Sequence, residues 1–470
     1  MKLKHIITFF YLILSASLFL FLRMELIVWA SFLINFIVLT YITDYHLNVE
    51  KCFSPFLTSF IIFTYLFFLM APMIQIDSIE SNNMAFPNAF LYNTSSILFT
   101  NFLILLFNII FFCSYILIKK KKLSRELKNP LKDTTYSTPL QILVLFIVSV
   151  LIFLSNYEYI INEIVSSLYS KSEGTLAIIL IKKKVLFFIP FAGVVIAYRY
   201  LKSKNRITTN TLISFLLFSL MIILLFVLKN PLTEKRNALG PIYITLIYLF
   251  YPKIINTNAK FFLFLFLSMV IAFPLISSIT HLDASLSELI TNPNVFVDRL
   301  IESGSILRAF NTLNYDAFAN IMATVDYTEL HSLSFGYHLF GALFFFVPRN
   351  IWVSKPITTG KEIGNHLIEN FNFGDGHFNN LSNSMVSEGY FNFGILGVIL
   401  LSILLAVTII KFLNWYRSGD PLKEIIAFYF SVHLIFLLRG DLTNGIAYFV
   451  GPLIGVYVIP KLIGKLLKKW

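Results

Sequence analysis

Cysteine is nearly absent from this chain, and charge is scarce. The two cysteines, Cys52 and Cys113, stand in or beside apolar runs without Cys-x-x-Cys spacing, so neither a disulfide framework nor a metal site is suggested. Charged residues make up 13 % of the 470 positions, far below the usage of a water-soluble globular protein. No internal repeat and no separable soluble domain stands out. A small-residue cleavage site is also missing after the first apolar run (5–22), which is followed by Arg23 and a second apolar run, so a retained span is expected there.

What fills the chain instead is apolar: 57 % of residues are hydrophobic, 51 of them Phe, and the mean hydropathy is +0.77. A helix needs about 20 mostly apolar residues to cross the hydrocarbon core. By that measure twelve runs qualify, centred on 5–22, 26–43, 53–74, 96–118, 138–155, 185–201, 210–228, 240–256, 261–280, 387–414, 424–438 and 445–460. The eighth, "GPIYITLIYLFYP", is the weakest, being short and bracketed by prolines. The fold class predicted is an all-α polytopic membrane protein, a single integral-membrane domain over 1–470.

Orientation follows from the short loops, because Lys- and Arg-rich connections stay in the cytoplasm. The stretches "KKKKLSRELKNPLK", "RYLKSKNR", "KFLNWYR" and the C-terminal "KLIGKLLKK" alternate correctly with twelve spans and place both termini inside. On this topology 23 of the 37 basic residues face the cytoplasm and 14 face outward. The outward cations are grouped in 229–240, in a long loop at about 281–386, and in 437–445. The net charge of +12 is accounted for largely by loops that fix topology and touch anionic lipid, so nucleic acid is not an expected partner.

The long outer loop reads as a mostly helical cap. Residues 277–330 carry helical apolar spacing broken at Asn292-Pro293, with Ser287 opening a capping pattern. "FGYHLFGALFFFVPRNIW" (335–352) suits a short interfacial helix with its aromatic side chains in the headgroup layer. The segment 364–394 is rich in Asn, Gly, Ser and aromatic residues, which is loop composition and suits sugar hydroxyls and sugar faces.

Arg presents a planar fork that matches phosphate oxygens, and Lys adds a compact point charge. Arg236, Arg349 and Arg439 each stand beside a span end and a turn residue, with Lys355 and Trp352 near the second. Such a set suits a lipid whose head is a pyrophosphate joined to a sugar, although any one outward cation also suits an ordinary phospholipid. Glycosyl transfer from that donor needs charge stabilisation on the departing pyrophosphate and a base for the acceptor hydroxyl. The candidate bases are Glu388, His366 and His377, with Asp326 and Asp441 behind them. Each has a structural reading beside the catalytic one. Glu388 can cap the tenth span, the histidines can be loop hydrogen-bonders, and Asp441 can pair with Arg439. Polar residues inside spans, such as Asn101 and Asn108, suit bonds between helices.

The motifs "EKRNALG" (234–240), "VPRNIWVSKP" (347–356), "SEGYFNFGILG" (387–397) and "LRGDLTNG" (438–445) together resemble the O-antigen polysaccharide polymerases of the Wzy family. The resemblance covers 229–445 by motif and the rest by span count. It implies a GT-C-like architecture in a bacterial inner membrane and an active site on the periplasmic face. The substrate implied is an undecaprenyl-pyrophosphate-linked oligosaccharide, polymerised into O-antigen or a related surface polysaccharide with no cofactor or metal. It also implies pyrophosphate contacts for Arg236, Arg349 and Arg439, support from Lys355, and a polysaccharide co-polymerase as partner. An O-antigen ligase would share fold and donor and differ in its acceptor. A flippase would also suit twelve spans, but the chain is asymmetric and few charges lie mid-span, unlike a two-repeat transporter.

Overall fold

Backbone amides have no partner in hydrocarbon except one another, so a chain built from long apolar runs must cross a membrane as helices or a closed barrel. A computed structural model describes residues 3–82, 89–126, 138–165, 181–231, 234, 236–272, 294, 309–373 and 380–467, and among these the regular structure is entirely helical. The order begins α1 (Leu3–Phe21), α2 (Leu26–Asp44), α3 (Pro55–Tyr65), α4 (Ala71–Asn82), α5 (Thr94–Glu126), α6 (Pro139–Ser155) and α7 (Tyr157–Val165). It continues with α8 (Ile189–Lys202), α9 (Thr209–Leu228), α10 (Arg236–Phe250), α11 (Asn258–Leu267), α12 (Ala317–His331), α13 (Tyr337–Leu343) and α14 (Thr359–Phe371). The last four are α15 (Met385–Tyr416), α16 (Pro421–Arg439), α17 (Leu442–Pro452) and α18 (Ile459–Leu467).

Nine helical stretches among the described residues are long and apolar enough to cross a membrane, or ten if α6 and α7, bent by 66°, form one span. The protein is therefore a polytopic membrane protein. Within the described residues, each of the twelve predicted runs falls on helix, but the eighth and ninth give only the shorter stretches Ala238–Phe250 and Asn258–Ala272. Pro241 lies inside α10 and Pro252 ends it. At 1.5 Å per residue α10 is about 22 Å long, short of the ~30 Å core. The stretch from Pro55 to Ile76 is buried throughout and α16 is mostly buried, so these two form the centre of the bundle. A π-helical turn at Leu66–Met70 joins α3 to α4, just where Pro72 cannot donate to the preceding turn.

Contacts between helix ends sort into two sets. In one, Arg23 N–H donates to Asp77 (2.7 Å), Thr94 to Glu25 (2.8 Å), and Gln75 to the carbonyls of Phe310 and Tyr315 (2.9 and 3.0 Å). In the other, Asn258 reaches the His46 carbonyl (3.1 Å), Tyr115 donates to Glu50 (2.7 Å), and Arg199 and Tyr248 both donate to Glu424 (2.9 and 2.7 Å). Within the bundle Asn101 bonds to Ser31 as expected (2.8 Å), whereas the buried amide of Asn108 has no hydrogen-bond partner.

The cap differs from its sequence reading in two places. The segment 364–394 is not a loop, because α14 and the first turns of α15 occupy much of it. The interfacial helix over 335–352 shrinks to α13, after which Pro348 and the turn at Pro348–Trp352 redirect the chain. Ser287, Asn292-Pro293 and His377 lie outside the described residues.

The start of α15 positions the candidate site. Phe393 (φ −141°) and Gly394 (φ +58°) break the helix, and its two halves fold against each other. A Cβ on Gly397 would lie 1.9 Å from the carbonyl oxygen of Gly389. In a straight helix residues eight apart are separated by about 12 Å. The glycines of "SEGYFNFGILG" thus make a tight elbow, with residues 385–392 in the cap and 395–416, about 33 Å long, as the span.

Candidate functional site

Two cations tie the loop after α13 to itself. Arg349 donates from its two terminal nitrogens to the carbonyls of Lys355 (2.6 Å) and Pro356 (3.1 Å). Lys355 Nζ donates in turn to the carbonyls of Phe345 (2.6 Å) and Val347 (2.9 Å). Trp352 donates to Ser354 Oγ (3.1 Å) and meets the Phe340 ring edge-on at 5.6 Å. Arg349 is exposed, and among the described residues neither cation has a carboxylate partner. Partial burial and the neighbouring Arg349 charge hold the Lys355 ammonium below its ordinary pKa. The carbonyls anchor the charges without neutralising them.

Arg439 is treated differently. At the C-terminus of α16 it donates to the Leu313 carbonyl (2.7 Å) and to Asp316 Oδ1 (3.3 Å), and the same oxygen accepts from Ser382. Asp316 is buried, so Arg439 is a partly buried, paired cation. The expected partner, Asp441, instead caps α17 by accepting from the Asn444 backbone and side chain, both at 2.8 Å. Burial pushes the Asp441 carboxyl above the usual range.

Glu388 is buried as well, at 2 % exposure. It does not cap its own helix, which Ser384 does by accepting from Ser387 N–H at 3.2 Å. Its Oε1 accepts from the Thr359 hydroxyl (2.6 Å) and from the first amide of α17, that of Leu442 (2.9 Å). A carboxyl group from the cap thereby accepts from the first amide of another helix.

His366 is on α14 rather than in a loop. Its Nδ1 accepts from Asn370 (3.0 Å), so in the neutral ring Nε2 carries the proton and donates to Asp326 Oδ2 (2.8 Å). Both nitrogens are engaged. His377 is outside the described residues. Arg236 begins α10, with its side chain outside the described residues.

One constellation goes unremarked in the sequence reading. Lys229 is fully buried; its Nζ donates to the Lys183 carbonyl and lies 3.4 Å from Glu234 Oε1. Lys184 lies 3.8 Å from that oxygen and 4.2 Å over the Tyr448 ring, and Lys183 pairs with Glu163. Burial alone would raise the Glu234 carboxyl, but Lys229, Lys184 and Lys183 outweigh it and bring it down to about 2. The lysine run "IKKKV" (181–185) is the sequence signal that could have found it.

No protein-family model, curated protein or solved structure matches this chain. What the site can do therefore rests on its chemistry. Arg349, Lys355 and Trp352 form one unit, and Glu388, Thr359 and the start of α17 another. Arg439 belongs to a third, through Asp316. The exposed, unneutralised pair is suited to an anion. The two buried carboxylates are suited to holding helix ends together.

Proposed function

We propose that the protein polymerises lipid-linked oligosaccharide repeat units, as the Wzy-like motifs imply, with its chemistry at the end of the bundle that carries Arg349. The observation that carries this reading is the Arg349–Lys355 pair: two adjacent cations, fixed by backbone carbonyls and lacking a carboxylate, beside an aromatic ring. A departing pyrophosphate develops charge that fixed cations stabilise without reorganising. Arg439 stands apart from that pair, held by Leu313 and Asp316, and on this reading its role is secondary. Proton acceptance falls to Glu388 or His366, after Glu388 releases the Thr359 hydroxyl or His366 releases Asn370, both local side-chain rotations, or to His377.

On this reading the donor is an undecaprenyl-pyrophosphate-linked oligosaccharide and the fold is GT-C-like. The protein lies in a bacterial inner membrane with both termini cytoplasmic and its site periplasmic, and a co-polymerase sets chain length. The test is mass spectrometry of lipid-linked glycans, with surface-polysaccharide gels, from a host lacking this protein. Single repeat units accumulating on the outer leaflet, with at most one unit at the surface, support the proposal. Long lipid-linked chains that never reach lipid A core would mean a ligase, and units trapped on the inner leaflet a flippase.

A further inference from the structure

We infer that residues 330–353 lie in the plane of the membrane, their large apolar side chains among lipid acyl chains and Arg349 at the depth of the headgroup phosphates. The segment is built inside out for a water-exposed cap. On α13 the small residues face inward: Gly341 and Ala342 are buried, and a Cβ on Gly341 would lie 2.5 Å from the Pro356 ring. The large ones face out. Phe335 is 75 % exposed, Phe340 52 %, Leu343 63 %, Phe346 66 %, Ile351 75 % and Val353 84 %. An apolar surface of this extent marks a contact with lipid or with another protein.

Three observations select lipid. First, much of the loop's hydrogen bonding is made within the segment, which lowers the cost of a low-dielectric setting. The amides of Phe344, Val347, Ile351, Trp352 and Lys355 all donate to carbonyls of the same segment at 3.0–3.1 Å. The carbonyls of residues 345, 347, 355 and 356 take the charged donors of Arg349 and Lys355. Second, no acidic residue occurs between Glu329 and Glu362, so the segment is cationic and complements anionic headgroups. Third, the surface continues that of a span. Leu333 and the Gly336 turn pack on Gly394 and Phe393 at the elbow of α15, just beyond which Leu396 is 59 % exposed. Phe335 holds φ at +48°, an uncommon conformation for a non-glycine residue, with its ring turned outward.

The inference is independent of the polymerase reading. Its test uses the full chain in lipid nanodiscs, with Trp29, Trp415 and Trp470 changed to Phe so that Trp352 alone reports. Quenching by phospholipids brominated near the headgroup should exceed quenching by those brominated near the chain end, and iodide should quench several-fold less than it quenches an aqueous tryptophan. Strong iodide quenching without any bromolipid effect would place the segment in water. Protection from both quenchers would mean that protein covers it. Either result overturns the inference. If the tryptophan variant does not fold, a nitroxide at Val353→Cys, in a Cys52→Ser, Cys113→Ser background, reads the same question. Relaxation by oxygen rather than by a water-soluble nickel chelate is expected.

Discussion

Lys229 and Arg349 sit at the same predicted side of the membrane and are handled in opposite ways. Lys229 is fully buried with Lys183 and Lys184 around Glu234, whose carboxyl they hold at about 2. Arg349 is exposed with Lys355 beside it, and only carbonyl oxygens attend them. A buried cation without its counter-ion costs several kcal/mol, so the first group exists as a set or not at all. An exposed cation can keep its charge uncompensated, because water and headgroups solvate it. The first arrangement ties the end of α9 and the loop after it to the Ile181–Lys202 stretch. The second leaves charge available to a ligand.

Removing either charge separates the two roles. Arg349→Ala should lower polymer formation by about 10²–10³-fold, the scale of one lost charge-stabilising donor, while membrane insertion and yield stay normal. Normal polysaccharide length in that variant would end the site assignment. Glu234→Gln should do the reverse, leaving three lysines without their shared partner and costing about 3–5 kcal/mol of stability, read as a fall in the thermal midpoint. An unchanged midpoint would mean that water already screens the cluster.

Arg439→Lys tests the intermediate case. A single ammonium cannot reproduce the guanidinium fork, and a tenfold loss of activity corresponds to about 1.4 kcal/mol. Full activity would assign Arg439 to holding Leu313 and Asp316 alone. The smallest effect belongs to Asp441→Asn. Burial raises the folded pKa of this carboxyl, so its contribution to stability is complete below the unfolded value and fades as pH rises through the folded one. Asn retains the cap on α17. The variant should therefore melt slightly higher than the parent at pH 7–8, with the gain disappearing near pH 4; a lower midpoint at pH 8 would contradict the assigned shift.

Helices were legible because hydrocarbon selects for apolar runs of nearly fixed length, and that signal is local. Partners were not. Sequence adjacency offers Asp441 to Arg439, whereas the fold supplies Asp316, 123 residues away, because the end of α16 meets the start of the cap. Asn and Gly content suggests a loop around His366, yet Ile363, His366, Leu367 and Asn370 keep the spacing of one helix face, and α14 forms on it. The interfacial-helix expectation over 335–352 fails at Arg349, because Pro348 and Pro356 bracket a turn that the helix does not cross. What the residues could not reveal is that the donors of Arg349 and Lys355 point back at their own backbone. The lysine cluster needed Glu163, Lys183 and Glu234 to converge from three segments.

The elbow of α15 has a mechanical consequence. Glycine pairs in membrane helices usually provide play; at Gly389 and Gly397 they remove it, because main chain rests on main chain and no side chain is there to yield. The corner is a rigid bracket. Glu388, on the cap side of that corner, is bonded to Thr359 and Leu442, so the elbow joins the span directly to the starts of α14 and α17. Lateral pressure from the bilayer on one span thus has a stiff path to the two helices that frame the cap.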